Sequence, residues 1–480
     1  MSLKQKTISG VLWSSVDNFA KQGIVFVVGI ILARLLEPED FGLIGMIAIF
    51  IAISESIVRS GFSEALIRKK DCTQADFSTV FYFNFAAGVL FYVILYFAAP
   101  AVSNFFDEPE LKKILRVLAL ILIINSISII QLAILTKRVD FKLLTRVSVA
   151  SATLSGVVAI YLAYKGLGVW SLVIMRLLMQ GLNSLFLWIW NRWRPSLIFS
   201  GESFKELFGF GYKLLISGLI NTIYENVYHV IIGKYFSATQ LGYYTRAHIF
   251  SSFPARNINM VMSRVTYPVL AEMQHDPEKL KEAYRRIIKS VMLITFAAMM
   301  GLAAIAEPLV ITLIGEKWRQ SIIYLQLLCF ASVLYPLHAL NLNMLKVKGR
   351  SDLFLKLEII KKILAVPVII IGVIYGIEIM ITGIILISFI GYFINSYWSG
   401  RLIGYSSIAQ VKDVTPSFLL AGLMALTVFG LGYMLETSHL ITLILQIVAG
   451  AVIFFGIAEL SNLKDYIYMK QIITDRFFKR

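Results

Sequence analysis

The sequence predicts an all-α integral membrane protein with about fourteen transmembrane helices. Apolar residues of the AVILMFWYC set make up 58% of 480 residues, charged residues only 15%, and the mean hydropathy is +0.76. Soluble domains are nearer half apolar and a quarter charged. A bilayer-spanning helix needs about 20 mostly apolar residues. That length recurs at 8–35, 41–60, 77–99, 111–136, 143–164 and 169–190, and again at 208–235, 241–265, 287–305, 322–345, 354–375, 379–402, 417–435 and 440–460. Fourteen segments leave about 34 residues for each helix and its loop, so no loop can hold a typical extramembrane domain.

Net charge is +16, but the bases sit between apolar runs rather than on a polar surface, which argues against nucleic acid as a partner. Cys72 and Cys329 are too few for a disulfide framework or a zinc cage. Arg68, Lys69 and Lys70, then Lys137, Arg138 and Lys142, then Lys346, Lys348 and Arg350, occupy loops on one side, whereas Glu37, Glu39 and Asp40 and Asp107, Glu108 and Glu110 occupy the other. By the positive-inside rule both termini are expected in the cytoplasm. Asp17 and Lys21 interrupt any signal-peptide core, so the first apolar stretch reads as a retained helix. The segment 463–480 alternates Tyr466, Ile467, Met469, Ile472 and Phe477 with bases and reads as an amphipathic anchor at the lipid surface.

An internal repeat shows at an offset of 200, where Gly42 aligns with Gly242, Phe50 with Phe250 and Arg34 with Lys234. It implies lobes at 1–198 and 199–405, with two further helices and the tail at 406–480. Six helices per repeat relate the halves by an axis along the membrane normal.

Ionisable groups inside membrane helices cost about 2.5–3.5 kcal/mol on insertion scales and mark cavities or partners. Asp17 and Lys21 share a face four residues apart, as a self-neutralised brace or as cavity lining; Glu55 and Arg59 follow the same spacing, with Arg59 near enough to the helix end to snorkel. Asn221, Glu225 and His229 form an i, i+4, i+8 stripe. These make Asp17, Glu55, Asn221, Glu225 and His229 the candidates for coupling to a proton or sodium gradient. Lys21, Arg176, Arg246 and Arg256 are the candidate cations for an anionic headgroup, because guanidinium and ammonium groups both suit phosphate and carboxylate oxygens. Pro254 is expected to bend its helix. His338 beside Pro336 and Glu307 beside Pro308 read as kink and interface features. No nucleotide loop, metal motif, cofactor site or nucleophile elbow appears, so no catalytic residue is expected.

The strings ARLLEPEDFGLIGM (33–46), GFSEALIRKKD (61–71), STVFYFN (78–84), GVWSLV (168–173), GYYTRA (242–247), RVTYPVL (264–270) and KGRSDLFLKLEIIKK (348–362) resemble the polysaccharide transporter family of the MOP flippase superfamily. The likeness is to its colanic acid and teichuronic acid exporter branch, relatives of Wzx-type flippases, and spans about residues 10–400. The resemblance implies two six-helix lobes in a MATE-like V-shaped arrangement plus two peripheral helices. It also implies a bacterial inner-membrane transporter that carries a polyprenyl-diphosphate-linked oligosaccharide to the outer leaflet by alternating access, among membrane lipids and other polysaccharide assembly proteins. The alternative within the superfamily is an ion-coupled drug or organic-cation antiporter, whose cavity would need a majority of acids. A glycan polymerase or ligase would need a larger outer loop than any here.

Overall fold

The computed structural model describes residues 3–478, with side chains described outside 3–12, 14–15, 261, 263–265, 267–268, 351, 472–473 and 475–478. Arg264 in RVTYPVL and the tail side chains Ile472 and Phe477 therefore lie outside the described residues, as do the terminal residues themselves. Among the described residues the secondary structure is nineteen α-helices and one 3-10 turn, with no strand. Twelve helical segments are long and apolar enough to cross a membrane.

Residues 1–242 form one compact unit. It holds α1 (Leu3–Leu35), α2 (Pro38–Arg59), α3 (Phe62–Arg68), α4 (Gln74–Phe106), α5 (Leu111–Leu118), α6 (Leu120–Lys137), α7 (Phe141–Tyr164), α8 (Val169–Asn191) and α9 (Gly201–Tyr235). The first turn of α10 (Ala238–Glu272) closes it. Residues 243–480 form the second unit, with the rest of α10, α11 (Pro277–Ala304), α12 (Ala306–Ile314), α13 (Ser321–Ser332), α14 (Tyr335–Val347), α15 (Ser351–Tyr375), α16 (Ile377–Ile403), α17 (Ser407–Met434), α18 (His439–Leu460) and α19 (Lys464–Phe478).

Several helices outrun the apolar stretches that predict them. α9 begins at Gly201 rather than 208, and α4 and α17 also begin before the first long apolar run. Hydropathy ends where charge begins, but a capped helix continues into the polar zone. Ser200 accepts from Ser203 N at 3.2 Å, Ser406 from Ala409 N at 3.3 Å, and Thr73 from Asp76 N at 3.2 Å, each satisfying a first-turn amide. At 35 residues α9 is roughly 52 Å long, well beyond a hydrocarbon core of about 30 Å. α10 and α15 are absent from the twelve: α10 is polar along its length, and Glu358, Lys361 and Lys362 leave α15 too short an apolar run.

In the first unit α1 packs on α7, α2 on α9, and α6 between α4 and α8. The core at one end is aromatic: Phe62 lies 5.1 Å from Phe83, and Phe204 stacks on Phe208 at 5.4 Å, around buried Leu66, Phe81 and Leu207. Between α2 and α3, Ser60 and Gly61 take positive φ, and a Cβ on Gly61 would lie 2.5 Å from the Gly211 carbonyl oxygen of α9. Only glycine fits both the left-handed turn and that approach. In the second unit α11 packs on α17, α16 on α13 and α15, and α17 on α18. The tail docks on this unit: Tyr466 and Met469 join the cluster of Leu293, Met424 and Phe454, and Lys289 pairs with Asp465 at 2.8 Å. Phe97, Val157, Leu426 and Val452 are each more than 60% exposed, which suits a lipid solvent and no other.

The repeat at offset 200 is present in the backbone. Residues 31–40 and 231–240 share one pattern: helix, a bend at Leu36 and Phe236, an N-cap, then a new helix. Asp40 caps back onto Glu37 N at 2.9 Å, and Ser237 Oγ accepts from Gln240 N at 3.1 Å. A Cβ on Gly42 would lie 1.7 Å from the Ala238 carbonyl oxygen, and one on Gly242 1.9 Å from that of Pro38. Pro38 and Ala238 occupy equivalent places, so the two helix starts cross reciprocally, each glycine against the other's first residue.

Candidate functional site

The first unit buries an ionic cluster on α2, α6 and α8. Asn125 donates to Glu55 Oε1 at 2.5 Å, and Arg59 and Arg176 both act electrostatically on the same carboxylate. Glu55 and Arg176 are half-buried and Arg59 is exposed. One turn along, Gln180 of α8 donates to Ser128 of α6 at 3.3 Å. The arrangement is a carboxylate bonded by an amide under the field of two more distant guanidiniums, with hydroxyl and amide neighbours able to exchange hydrogen bonds. Such a site can take up or release a cation where an apolar bundle cannot.

On α1, Asp17 accepts a hydrogen bond from Ser148 of α7. Asp17 and Lys21 do not form an ion pair, which removes the self-neutralised brace; Lys21 is half-buried and, among the described residues, faces no carboxylate within bonding distance. On α9, Asn221 and Glu225 are exposed and His229 is half-buried, so the stripe lies on a face that its own unit leaves largely uncovered. Within this unit Arg176 is near enough to Glu55 for its charge to act on the carboxylate, and α9, which carries the stripe, packs along α2 with Gly218 facing Ser56.

In the second unit Arg246 is buried with its guanidinium 5.9 Å from the Trp318 ring, which Tyr243 meets edge-on at 6.0 Å. A cation over an indole face is stabilised without a carboxylate. Arg256, ten residues further along α10, is exposed.

Ionisable residues alone do not reveal a second polar belt in this unit. Asn341 of α14 donates to Gln410 Oε1 at 3.2 Å and accepts at its Oδ1 from Ser399 of α16, while Gln410 donates to the Tyr405 carbonyl at 3.3 Å. His338 meets Asn395 at 3.2 Å and Ser388 at 3.3 Å, so it belongs to this belt rather than only to a kink. Single amides within apolar helices, Asn341 of α14, Asn395 of α16 and Gln410 of α17, are the signal that would have found it. Among the described residues no group of three or more His, Cys, Asp or Glu side chains is placed to hold a metal.

Residues 31–323 match the family described as polysaccharide biosynthesis protein. The chain belongs to this family. Among curated members it is 26% identical over 471 residues to the teichuronic acid biosynthesis protein TuaB of Bacillus subtilis (strain 168), covering 94% of this chain and 95% of that one. It is 27% identical over 378 residues to the lipopolysaccharide biosynthesis protein WzxC of Escherichia coli (strain K12), with 78% and 76% covered. With the succinoglycan biosynthesis transport protein ExoT of Rhizobium meliloti (strain 1021) it shares 26% over 467 residues, covering 94% and 92%. Among solved structures it resembles the lipid II flippase MurJ in an inward closed conformation, with a TM-score of 0.73 at 15% identity over 96% of this chain and 100% of that one. A MATE multidrug transporter of the MOP superfamily, inward-facing, follows with a TM-score of 0.63 at 17% identity, covering 82% and 98%. This family member thus shares its fold with those two structures.

Proposed function

We propose that the protein carries a lipid-linked oligosaccharide, the repeat unit of a surface polysaccharide on a polyprenyl diphosphate, from the inner to the outer leaflet of a bacterial cytoplasmic membrane by alternating access. The observation that carries this reading is the match along nearly the whole chain to a protein named for succinoglycan transport, in a family named for polysaccharide biosynthesis. The fold shared with a lipid II flippase supports it, because a lipid-bound, diphosphate-linked sugar is the same class of cargo. We read the chain as a transporter rather than an enzyme, with fourteen spans in lobes 1–198 and 199–405 and a peripheral part 406–480, both termini cytoplasmic.

In this reading Lys21, Arg176, Arg246 and Arg256 serve the anionic headgroup. Arg246 and Arg176 are the stronger members, being desolvated and so worth more per contact than an exposed arginine. Glu55 is the foremost ion-coupling group, since Asn125 holds its carboxylate in place and Arg59 and Arg176 act on its charge; Asp17, Asn221, Glu225 and His229 complete the candidates. Coupling is to a proton or sodium gradient.

Deletion of the gene in a strain without a redundant exporter should accumulate lipid-linked repeat units in the inner leaflet; normal surface glycan there overturns the proposal. The likeness to a MATE transporter favours a second reading, ion-coupled drug or organic-cation export. A drug-resistance phenotype on overexpression, with unchanged glycan, would establish that one instead.

A further inference from the structure

A cavity of about 790 Å³ opens in the second unit where α11 starts, α16 ends and α17 starts. Four cations line it, Lys281, Arg285, Arg401 and Lys412, against one acid, Asp413. Arg285 already grips that acid through two parallel bonds, Nε to Oδ2 at 2.5 Å and Nη2 to Oδ1 at 2.6 Å, and the Tyr405 hydroxyl donates to Oδ2 at 2.7 Å. The brace fixes Arg285 and uses up the acid's charge. Lys281, Arg401 and Lys412 remain, a local charge of +3 with no carboxylate partner among the described residues. Arg401 is held 4.5 Å over the Tyr397 ring, which positions its guanidinium without neutralising it.

Like charges gathered around a cavity repel, and their summed potential draws in a counter-charge. The walls select its chemistry. Guanidinium and ammonium donors converging on one space match the tetrahedral oxygens of a phosphate. The rim carries exposed apolar groups, Ile408 at 73% and Tyr397 at 47%, beside the ends of membrane helices, the depth at which lipid headgroups lie.

We infer that this cavity binds a phosphate-bearing anion, either the headgroup of an anionic membrane lipid or phosphate free in solution, at a place separate from the transport residues named above. The inference does not rest on the transport reading, and its test reads binding alone.

The purified full chain in detergent is mixed with phosphatidylglycerol, with phosphatidylcholine or with millimolar inorganic phosphate. Bound lipid is counted by native mass spectrometry, and phosphate by its stabilisation of the thermal midpoint. Wild type should retain phosphatidylglycerol over phosphatidylcholine, and the double variant Lys281→Gln, Lys412→Gln should lose about tenfold of that retention, given about 1 kcal/mol per basic residue near an anionic surface and some compensation by Arg401. Its midpoint without ligand should not move, because neither lysine braces another group. The exposed Lys412→Glu alone should give an intermediate loss, and a control pair at Lys112 and Lys113 should give none. Loss of the phosphate response with lipid retention unchanged assigns the site to the soluble anion. Equal retention of phosphatidylglycerol and equal phosphate stabilisation in wild type and double variant overturn the inference.

Discussion

Thirteen residues beyond Gly42, α2 carries Glu55; thirteen beyond Gly242, α10 carries Ala255. The two helices begin alike, with a bend, a cap, a helix start and a glycine pressed on the other's first residue. Their interiors then part. Glu55 takes a bond from Asn125 and the attraction of two arginines, while Ala255 is 2% exposed and apolar. The second unit builds its polar belt elsewhere, from the neutral amides Asn341, Asn395 and Gln410. Backbone geometry at the repeat is set by contacts that tolerate no side chain, so both copies keep it. Chemistry is free to differ: α2 keeps a carboxylate where α10 has a buried alanine, and the second unit's buried charge is Arg246.

The largest effects should come from the shared feature. Gly42→Ala and Gly242→Ala each drive a methyl into a carbonyl oxygen under 2 Å away, so the crossing must open. Each should cost about 3 kcal/mol or more, at the upper end for overpacking, read as loss of folded protein in detergent. Similar losses for the two establish reciprocity; a tolerated alanine at either position breaks it.

The unshared feature is tested by Arg176→Ala, which leaves Glu55 with Arg59 as its cation. Removing one partner of a buried pair costs about 3–5 kcal/mol when burial is complete. Half-burial and the lack of a direct ion pair between the two among the described residues bring the expectation to about 1 kcal/mol, and Glu55→Gln in the same chain should recover most of it. A double-mutant cycle in thermal stability measures that coupling. On the proposed coupling, export in the Glu55→Gln variant should lose the response to a proton or sodium gradient that the wild type shows; an intact response, or a wild type insensitive to both gradients, removes Glu55 from coupling.

Asn341→Ala probes the neutral belt. It leaves the buried Gln410 Oε1 without its donor and Ser399 with only the Ser396 carbonyl to donate to, and a buried unsatisfied group costs about 1–3 kcal/mol. An expected loss of about 2 kcal/mol, with no change in ion dependence, would separate a packing belt from a coupling site. A change in ion dependence would give the second unit a share in the chemistry.

Hydropathy made the spans legible because a long apolar run in a membrane has little choice but helix. It did not show the division of 111–136 into α5 and α6 at Ala119, since Ala119 and Leu120 are both good helix formers and Ala119 keeps helical backbone angles. Searching for ionisable residues at depth found Glu55 and Arg176, and helical spacing gave Arg59, but that Asn125 and Arg176, 70 residues or more from Glu55, meet it could not be named in advance. It passed over Asn341 and Gln410 because neutral amides carry no comparable insertion cost. It also joined Asp17 to Lys21 by spacing alone, whereas Ser148 of α7 bonds the acid.

The smallest effect lies in the loop after α4. Glu108 is held above the ordinary glutamate range, first by partial burial and then by Glu39, Glu110 and Asp107, while Lys234 offsets part of this by pairing with Asp107 at 2.9 Å. A raised carboxyl favours the folded state while protonated. The native chain therefore keeps that advantage below about 4.5, the unfolded value, and loses it as pH climbs through the folded one. Glu108→Gln stays neutral throughout, so its thermal midpoint should match wild type in acid and exceed it at neutral pH. The gain should be a few tenths of a kcal/mol, because the side chain is largely solvated and screened. No equivalent cluster of acids stands at the corresponding loop after α11, where Ile305 leads directly into α12. A neutralising substitution of Glu307, which already pairs with Arg319 at 2.9 Å, should lower the midpoint rather than raise it, and the opposite signs of these two variants are what the divergence between the halves requires.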